Sequence, residues 1–221
     1  MRIQLFFRVV LLLALAFFSC LMLRLSLPYT AMRSDVDFLQ TKQNVYHIGY
    51  WRVSFYIHVF TSSLTLIAGF TQFNPWILRR FPRVHRMMGW IYLVIVAGIS
   101  GPAAFMMALH ANGGLPARAS FTLLSFLWVL FTCFAGWQVV RRRFASHGAF
   151  MFRSYALTLS AITLRLYTFS SAYLHLAATP RDIYITTAWL SWVPNLIIAE
   201  WLIRSGWVEK IYRPAVPGIR H

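Results

Sequence analysis

Six apolar runs, each near the length that crosses a bilayer, decide most of what this chain can become. They lie at about Val9 to Leu27, Trp51 to Phe73, Met88 to Leu109, Phe121 to Val140, Gly148 to Leu174 and Ile183 to Ile203. About 20 predominantly apolar residues cross the hydrocarbon core as a helix, and a helix satisfies its own backbone there. Of the 221 residues, 59% are hydrophobic and 12% charged, against ~25% charged in an average soluble domain. Disorder needs low hydrophobicity, and a soluble globule has no room to hide this much apolar surface. The expected fold is all-α, a six-span transmembrane helix bundle in the lipid bilayer. Residues 1–50 hold the first helix and an outer loop, 51–206 a five-span core, and 207–221 a basic tail with Pro214 and Pro217.

The charge is one-sided, with 21 Lys and Arg against 5 Asp and Glu and a net charge of +16. Such an excess can mark a nucleic-acid protein. Almost no water-facing domain is left to carry that surface, so no nucleic-acid partner is expected. Cytoplasmic loops of membrane proteins are rich in Lys and Arg. With the N-terminus inside, the inner segments take Arg2, Arg8, Arg79, Arg80, Arg83 and Arg86. They also take Arg141, Arg142, Arg143, Arg153, Arg204, Lys210, Arg213 and Arg220, fourteen in all. The outer segments take six, Arg24, Arg33, Lys42, Arg52, Arg118 and Arg181, offset by Asp35, Asp37 and Asp182. This split predicts that both termini are cytoplasmic. Asn74-Pro75, Asn112-Gly113-Gly114 and Pro180 fall in the expected turns. The loop from Pro28 to Tyr50 is expected at the outer membrane surface.

Arg2 and Arg8 ahead of an apolar run also suit a signal peptide. Phe17-Phe18 before Ser19-Cys20 and the apolar run on to Leu27 favour an uncleaved span. Cys20 and Cys133 both fall in apolar runs and are expected as buried, small apolar residues.

Ionisable groups at membrane depth are costly, so each is a candidate for function. In the fifth run, His147 and Arg165 are 18 positions apart, which returns to the same face at ~100° per residue. Ser154, Thr158 and Ala161 lie close to that face. In the second run, His58, Ser62, Thr65, Gly69 and Gln72 form another helical stripe. In the third, His85, Gly89, Tyr92 and Val96 align. Such small or polar stripes are expected to face the bundle interior. Arg153 and Glu200 share a depth toward the cytoplasmic side and are expected to pair, with Asn195 close by. Arg165 and His58 share the outer half, where no carboxylate lies. The Arg165 partner is then a backbone carbonyl, a ligand's negative group or cavity water, unless its side chain snorkels to the interface.

No metalloprotease helix, phosphate loop or nucleophile elbow is present, and no Cys–His metal spacing. Histidines on several spans point instead to a cofactor held between helices, since imidazole is a common axial ligand of haem iron. One candidate arrangement holds haem b or a quinone with His58, His85, His147, Arg165 and Tyr92. The haem iron would be ligated by His85 and His147, and Arg165 would meet negative groups. Tyr92, Tyr155, Tyr167 and the nine Trp could line a flat aromatic ligand. A second candidate is a carrier or binding protein for a small anionic or lipid-like substrate, with Arg165 and the Ser/Thr faces along its path. A third is an accessory subunit whose polar stripes only pack helices.

Two blocks carry a resemblance. The first is His58, Gly69 and Gln72 followed by Arg83-Val84-His85-Arg86-Met87-Met88-Gly89-Trp90-Ile91-Tyr92. The second runs from His147-Gly148-Ala149-Phe150-Met151-Phe152-Arg153-Ser154-Tyr155 to Thr163-Leu164-Arg165. With Trp192, Asn195 and Glu200, they resemble the uncharacterised prokaryotic membrane proteins catalogued as domain of unknown function 2306, over roughly Tyr46 to Arg204. The resemblance implies a multi-pass protein of a bacterial plasma (inner) membrane and carries no activity with it. A looser similarity to diheme b-type cytochromes rests only on helices bearing histidines.

Overall fold

The computed structural model describes residues 2–174 and 177–212, and every regular element among them is helical. His175, Arg213, Pro214, Pro217 and Arg220 lie outside the described residues. The long helices are α1 (Arg2–Ser26), then, after the short α2 (Gln43–Tyr46), α3 (Gly49–Gln72). A short α4 (Pro75–Arg80) leads into α5 (Pro82–Leu93), a π-helical segment (Val94–Ser100) and α6 (Gly101–Ala108). Helix α7 (Leu115–Val140) packs along α8 (Phe144–Thr158), which α9 (Ser160–Tyr173) continues. The chain closes with α10 (Pro180–Leu190), α11 (Val193–Arg204) and α12 (Trp207–Tyr212).

Helix starts follow local chemistry. Asn74 accepts a bond from Trp76 N with Pro75 at the first turn, and Thr179 caps Asp182 N ahead of Pro180. Both pairings combine an N-cap oxygen with a proline whose missing N–H costs nothing there.

Among the described residues, four stretches are helices long and apolar enough to cross a membrane: Val9–Ala31, Gly49–Gln72, Pro82–Ala108 and Leu115–Val140. The fifth and sixth apolar runs are not single helices. The fifth is interrupted at Leu159 and the sixth at Ser191 and Trp192. Pro194 explains the second interruption, because it has no N–H to bond back to Leu190. At the first, Asn195 Nδ2 donates to Ala156 O (3.3 Å), the carbonyl that the Ser160 N–H would take in an unbroken helix. Side chains that compete for backbone carbonyls interrupt a helix in this way.

Large apolar side chains lie exposed all round the bundle, among them Leu11, Phe17, Val53, Trp76, Phe126, Ile197 and Trp201. A soluble monomer rarely exposes patches on this scale. The exposed surface is the lipid-facing one, and the chain is a helical membrane protein. Cys20 and Cys133 are on this exposed surface. They are not buried as their apolar surroundings suggest, because a lipid-facing position is just as apolar in sequence.

The loop between α1 and α3 is ordered. It folds into two short 3₁₀ turns, Leu27–Ala31 and Asp37–Lys42, and α2. Tyr29, Leu39 and Val45 pack with Trp51 and Phe55 of α3 into a small core.

Candidate functional site

The polar stripes converge in the middle of the bundle. Tyr92 on α5 sends its hydroxyl between Ser154 Oγ (2.7 Å) and Thr158 Oγ1 (2.8 Å) on α8. Trp128 Nε1 on α7 donates to Thr158 Oγ1 at 2.9 Å, and Thr132 Oγ1 lies 2.6 Å from Ser154 Oγ. Tyr92, Ser154 and Thr132 are 1% exposed or less. The polar end of Tyr92 ties α5, α7 and α8 together. Trp128, Thr132 and Ala135 are spaced i, i+4 and i+7, a stripe on α7 that completes the network. That spacing was open to a sequence reading, but no ionisable residue marks it.

Toward the end rich in arginine, α5 carries His85 and α8 carries His147. They are close enough to act on each other electrostatically. His147 Nδ1 is 2.9 Å from Ala135 O on α7. His85 has the Thr71 backbone as a neighbour. Its Nδ1 is buried without a hydrogen-bond partner among the described residues. Gln72 Nε2 donates to His85 O at 3.0 Å and so joins the end of α3 to α5. Among the described residues no group of three or more His, Cys, Asp or Glu is placed to hold a metal ion. An axial pair would need only two.

His58 belongs to a different layer. It is 14 positions before Gln72 on α3, about 21 Å at 1.5 Å per residue. A single ligand between His85 and His147 therefore does not also rest on His58. His58 Nδ1 lies 3.1 Å from Ser100 O and 3.0 Å from Ser100 Oγ, and its ring meets Trp128 edge to face at 6.4 Å. Ser100 ends the π-helical segment, which the sequence reading missed. Its signal was Gly98, Gly101 and Pro102: Pro102 leaves the Gly98 carbonyl without its helical donor, and a Cβ on Gly101 would sit 2.3 Å from Val96 O. Such π segments recur at functional sites.

Arg165 on α9 sits in this same layer, within electrostatic reach of His58 and Tyr29. Its Nη1 donates to Ala161 O at 3.0 Å, and no carboxylate is paired with it among the described residues. Arg153 does have a carboxylate partner. Its Nε and Nη2 donate to Glu200 Oε1 (2.5 Å) and Oε2 (3.0 Å). Asn195 lies on the same helix as Glu200 but faces the interruptions, where its amide also reaches Ser191 O at 3.1 Å. Thr163 Oγ1 donates to that same carbonyl.

Lys42 lies outside the long helices, buried in the loop that joins α1 to α3. Its Nζ donates to His110 O (2.7 Å) and Asn112 Oδ1 (2.8 Å) and lies over the Phe38 and Trp51 rings. Burial, with Arg118 nearby, pulls its pKa down to about 8.

A lipid-exposed helical surface around a polar, hydroxyl-rich interior defines an integral membrane protein of the multi-helix type. A family of predicted membrane proteins, domain of unknown function 2306, matches residues 55–203. The chain belongs to that family. Comparison with curated proteins and with solved structures gives no match at all, and so adds no support to the similarity with b-type cytochromes.

Proposed function

We propose that this protein binds haem b at its arginine-rich end and acts in membrane electron transfer. In this reading it is a six-span protein of a bacterial inner membrane with both termini cytoplasmic. The carrying observation is the approach of His85 and His147 from α5 and α8 with the His147 ring already oriented. A histidine that ligates iron through Nε2 commonly donates its Nδ1–H to a carbonyl, which fixes tautomer and ring plane. His147 has that contact with Ala135 O. His85 would offer the second nitrogen from the facing helix. Haem bound there would supply one-electron chemistry; the chain would supply the two ligands.

The test is a reduced-minus-oxidised spectrum and a haem assay on protein purified from haem-supplemented cells. A b-type band is expected in the native chain and in His58→Ala, and its loss in His85→Ala and in His147→Ala. A folded native chain without haem overturns the proposal.

Arg165 favours a second reading. An intramembrane guanidinium whose one hydrogen bond among the described residues is to its own helix suits the negative group of a small anion or the carbonyl of a quinone. Uptake or binding of such compounds should then fall in Arg165→Gln and persist in His147→Ala. Equal behaviour of the two variants would remove this reading.

A further inference from the structure

Arg79, Arg80, Arg83 and Arg86 crowd the corner where α4 meets α5. All four are exposed, and none has a hydrogen bond or an ion pair among the described residues. Arg153 and Arg165, in contrast, are held by Glu200 and by Ala161 O. Glu209 is exposed beside Val208 on α12, and it too makes no ion pair with the corner among the described residues.

Packing aims these side chains outward. Leu78 sits with Phe152 and Ile203 around Val208. Trp76, Arg79 and Arg80, spaced i, i+3 and i+4, share the exposed face of α4. On α5 the reference is Tyr92, buried in the hydroxyl network. At ~100° per residue, Arg83, Arg86, Met87 and Trp90 all fall within about 60° of the side opposite Tyr92. All four are exposed, as is Val94 just beyond them. This face is therefore cationic at its start and apolar along the rest. From Arg83 to Val94 it runs about 16 Å, close to the ~15 Å depth of one hydrocarbon leaflet. At the corner Trp76 and Phe81 are both exposed and meet edge to face at 5.2 Å. Exposed aromatic rings of this kind favour the headgroup level of a bilayer.

Four unpaired guanidinium groups at the head of an exposed apolar face match a molecule that joins a phosphate to an apolar tail. Guanidinium suits phosphate oxygens because its N–H groups form a rigid fork. We propose that the α4–α5 corner seats one anionic phospholipid of the surrounding bilayer. Arg79, Arg80, Arg83 and Arg86 surround its headgroup, and an acyl chain lies along Met87 and Trp90. This inference does not depend on how His85, His147 or Arg165 are used.

The test places the full chain in phosphatidylcholine nanodiscs that contain a minor share of phosphatidylglycerol. Native mass spectrometry then identifies the lipids that stay bound on release. Phosphatidylglycerol should be enriched about fivefold or more over its share, fivefold being the effect of one basic residue at a membrane surface. Arg79→Gln/Arg80→Gln/Arg83→Gln/Arg86→Gln should lose the enrichment. Arg141→Gln/Arg142→Gln/Arg143→Gln should keep it; those arginines are exposed on the α7–α8 turn, and Arg141 already lies over the Trp137 ring at 4.4 Å. A phosphatidylglycerol with a photoreactive acyl chain should label the peptide that holds Met87 and Trp90. Should the fourfold variant fail to fold, Arg83→Gln/Arg86→Gln and the labelling of the native chain decide. The proposal falls if phosphatidylglycerol is not enriched, if both sets of arginine variants lose it alike, or if the label falls on another helix.

Discussion

Tyr155 places its hydroxyl oxygen where a side chain at Gly69 would begin: a Cβ there would lie 2.0 Å from Tyr155 Oη. The same hydroxyl donates to Leu66 O at 2.8 Å, so α8 is seated on α3 by a glycine and a carbonyl one turn apart. Gly69→Ala is expected to destabilise the protein by roughly 1–3 kcal/mol through overpacking. Unfolding in detergent should show that cost in the native background and little of it in Tyr155→Ala, since the clashing ring is then gone.

Tyr92→Phe removes the hydroxyl that Ser154 and Thr158 share. Hydrogen bonds between membrane helices contribute about 0.6 kcal/mol on average and at most ~1.7. Two lost bonds at a fully buried site should cost about 1–3 kcal/mol. Ligand or haem content per folded molecule should not change. A drop in that content at unchanged stability would give Tyr92 a ligand-contacting role that the structure does not.

Removing one member of the Arg153–Glu200 pair strands the other at membrane depth. Arg153→Gln and Glu200→Gln are each expected to lose roughly 1–3 kcal/mol, below the 3–5 of a fully buried pair because both side chains are partly exposed. The double variant Arg153→Gln/Glu200→Gln should recover much of that loss. Additive losses in thermal unfolding would show that the two side chains do not act as a pair.

Lys42 titrates near pH 8 when folded and at its ordinary 10.5 when unfolded. Below about pH 8 the amine is charged in both states and its burial cost is present in full. Between about pH 8 and 10.5 the unfolded chain binds the proton more tightly, so stability rises with pH; beyond 10.5 the gain is complete. The gain is about 3 kcal/mol at most. Unfolding curves from pH 7 to 10 should show it in the native chain and not in Lys42→Met, and parallel curves would count against a depressed pKa.

Cys20 and Cys133 are exposed on a surface that lipid covers. In intact vesicles they should react with a membrane-soluble maleimide and resist a charged, water-soluble one. Equal labelling by both reagents would mean that this face of the bundle meets water.

The residues themselves show why some of this was legible in sequence and some was not. The four long spans declare themselves by length, and the His58-to-Gln72 stripe by its spacing, because burial against neighbouring helices follows a period of 3.6. The α7 stripe of Trp128, Thr132 and Ala135 carries no charge and so passed as ordinary apolar sequence. The interruption at Leu159 has no proline or glycine to announce it. It depends on Asn195, which reaches the Ala156 carbonyl only once α8 and α11 are packed.

The sequence by itself determined that this is a helical membrane chain, where its long spans lie, and that its basic residues are unevenly distributed. Length, hydropathy and charge are local properties that survive without any knowledge of neighbours. Only the tertiary structure decided that Tyr92 belongs to a hydroxyl network, that His85 comes within electrostatic reach of His147 while His58 and Arg165 occupy another layer, and that the Arg153–Glu200 pair joins α8 to α11. Those facts depend on which helix faces which and at what height. Many helix pairings satisfy the same apolar runs, and packing selects among them through contacts such as Gly69 against Tyr155.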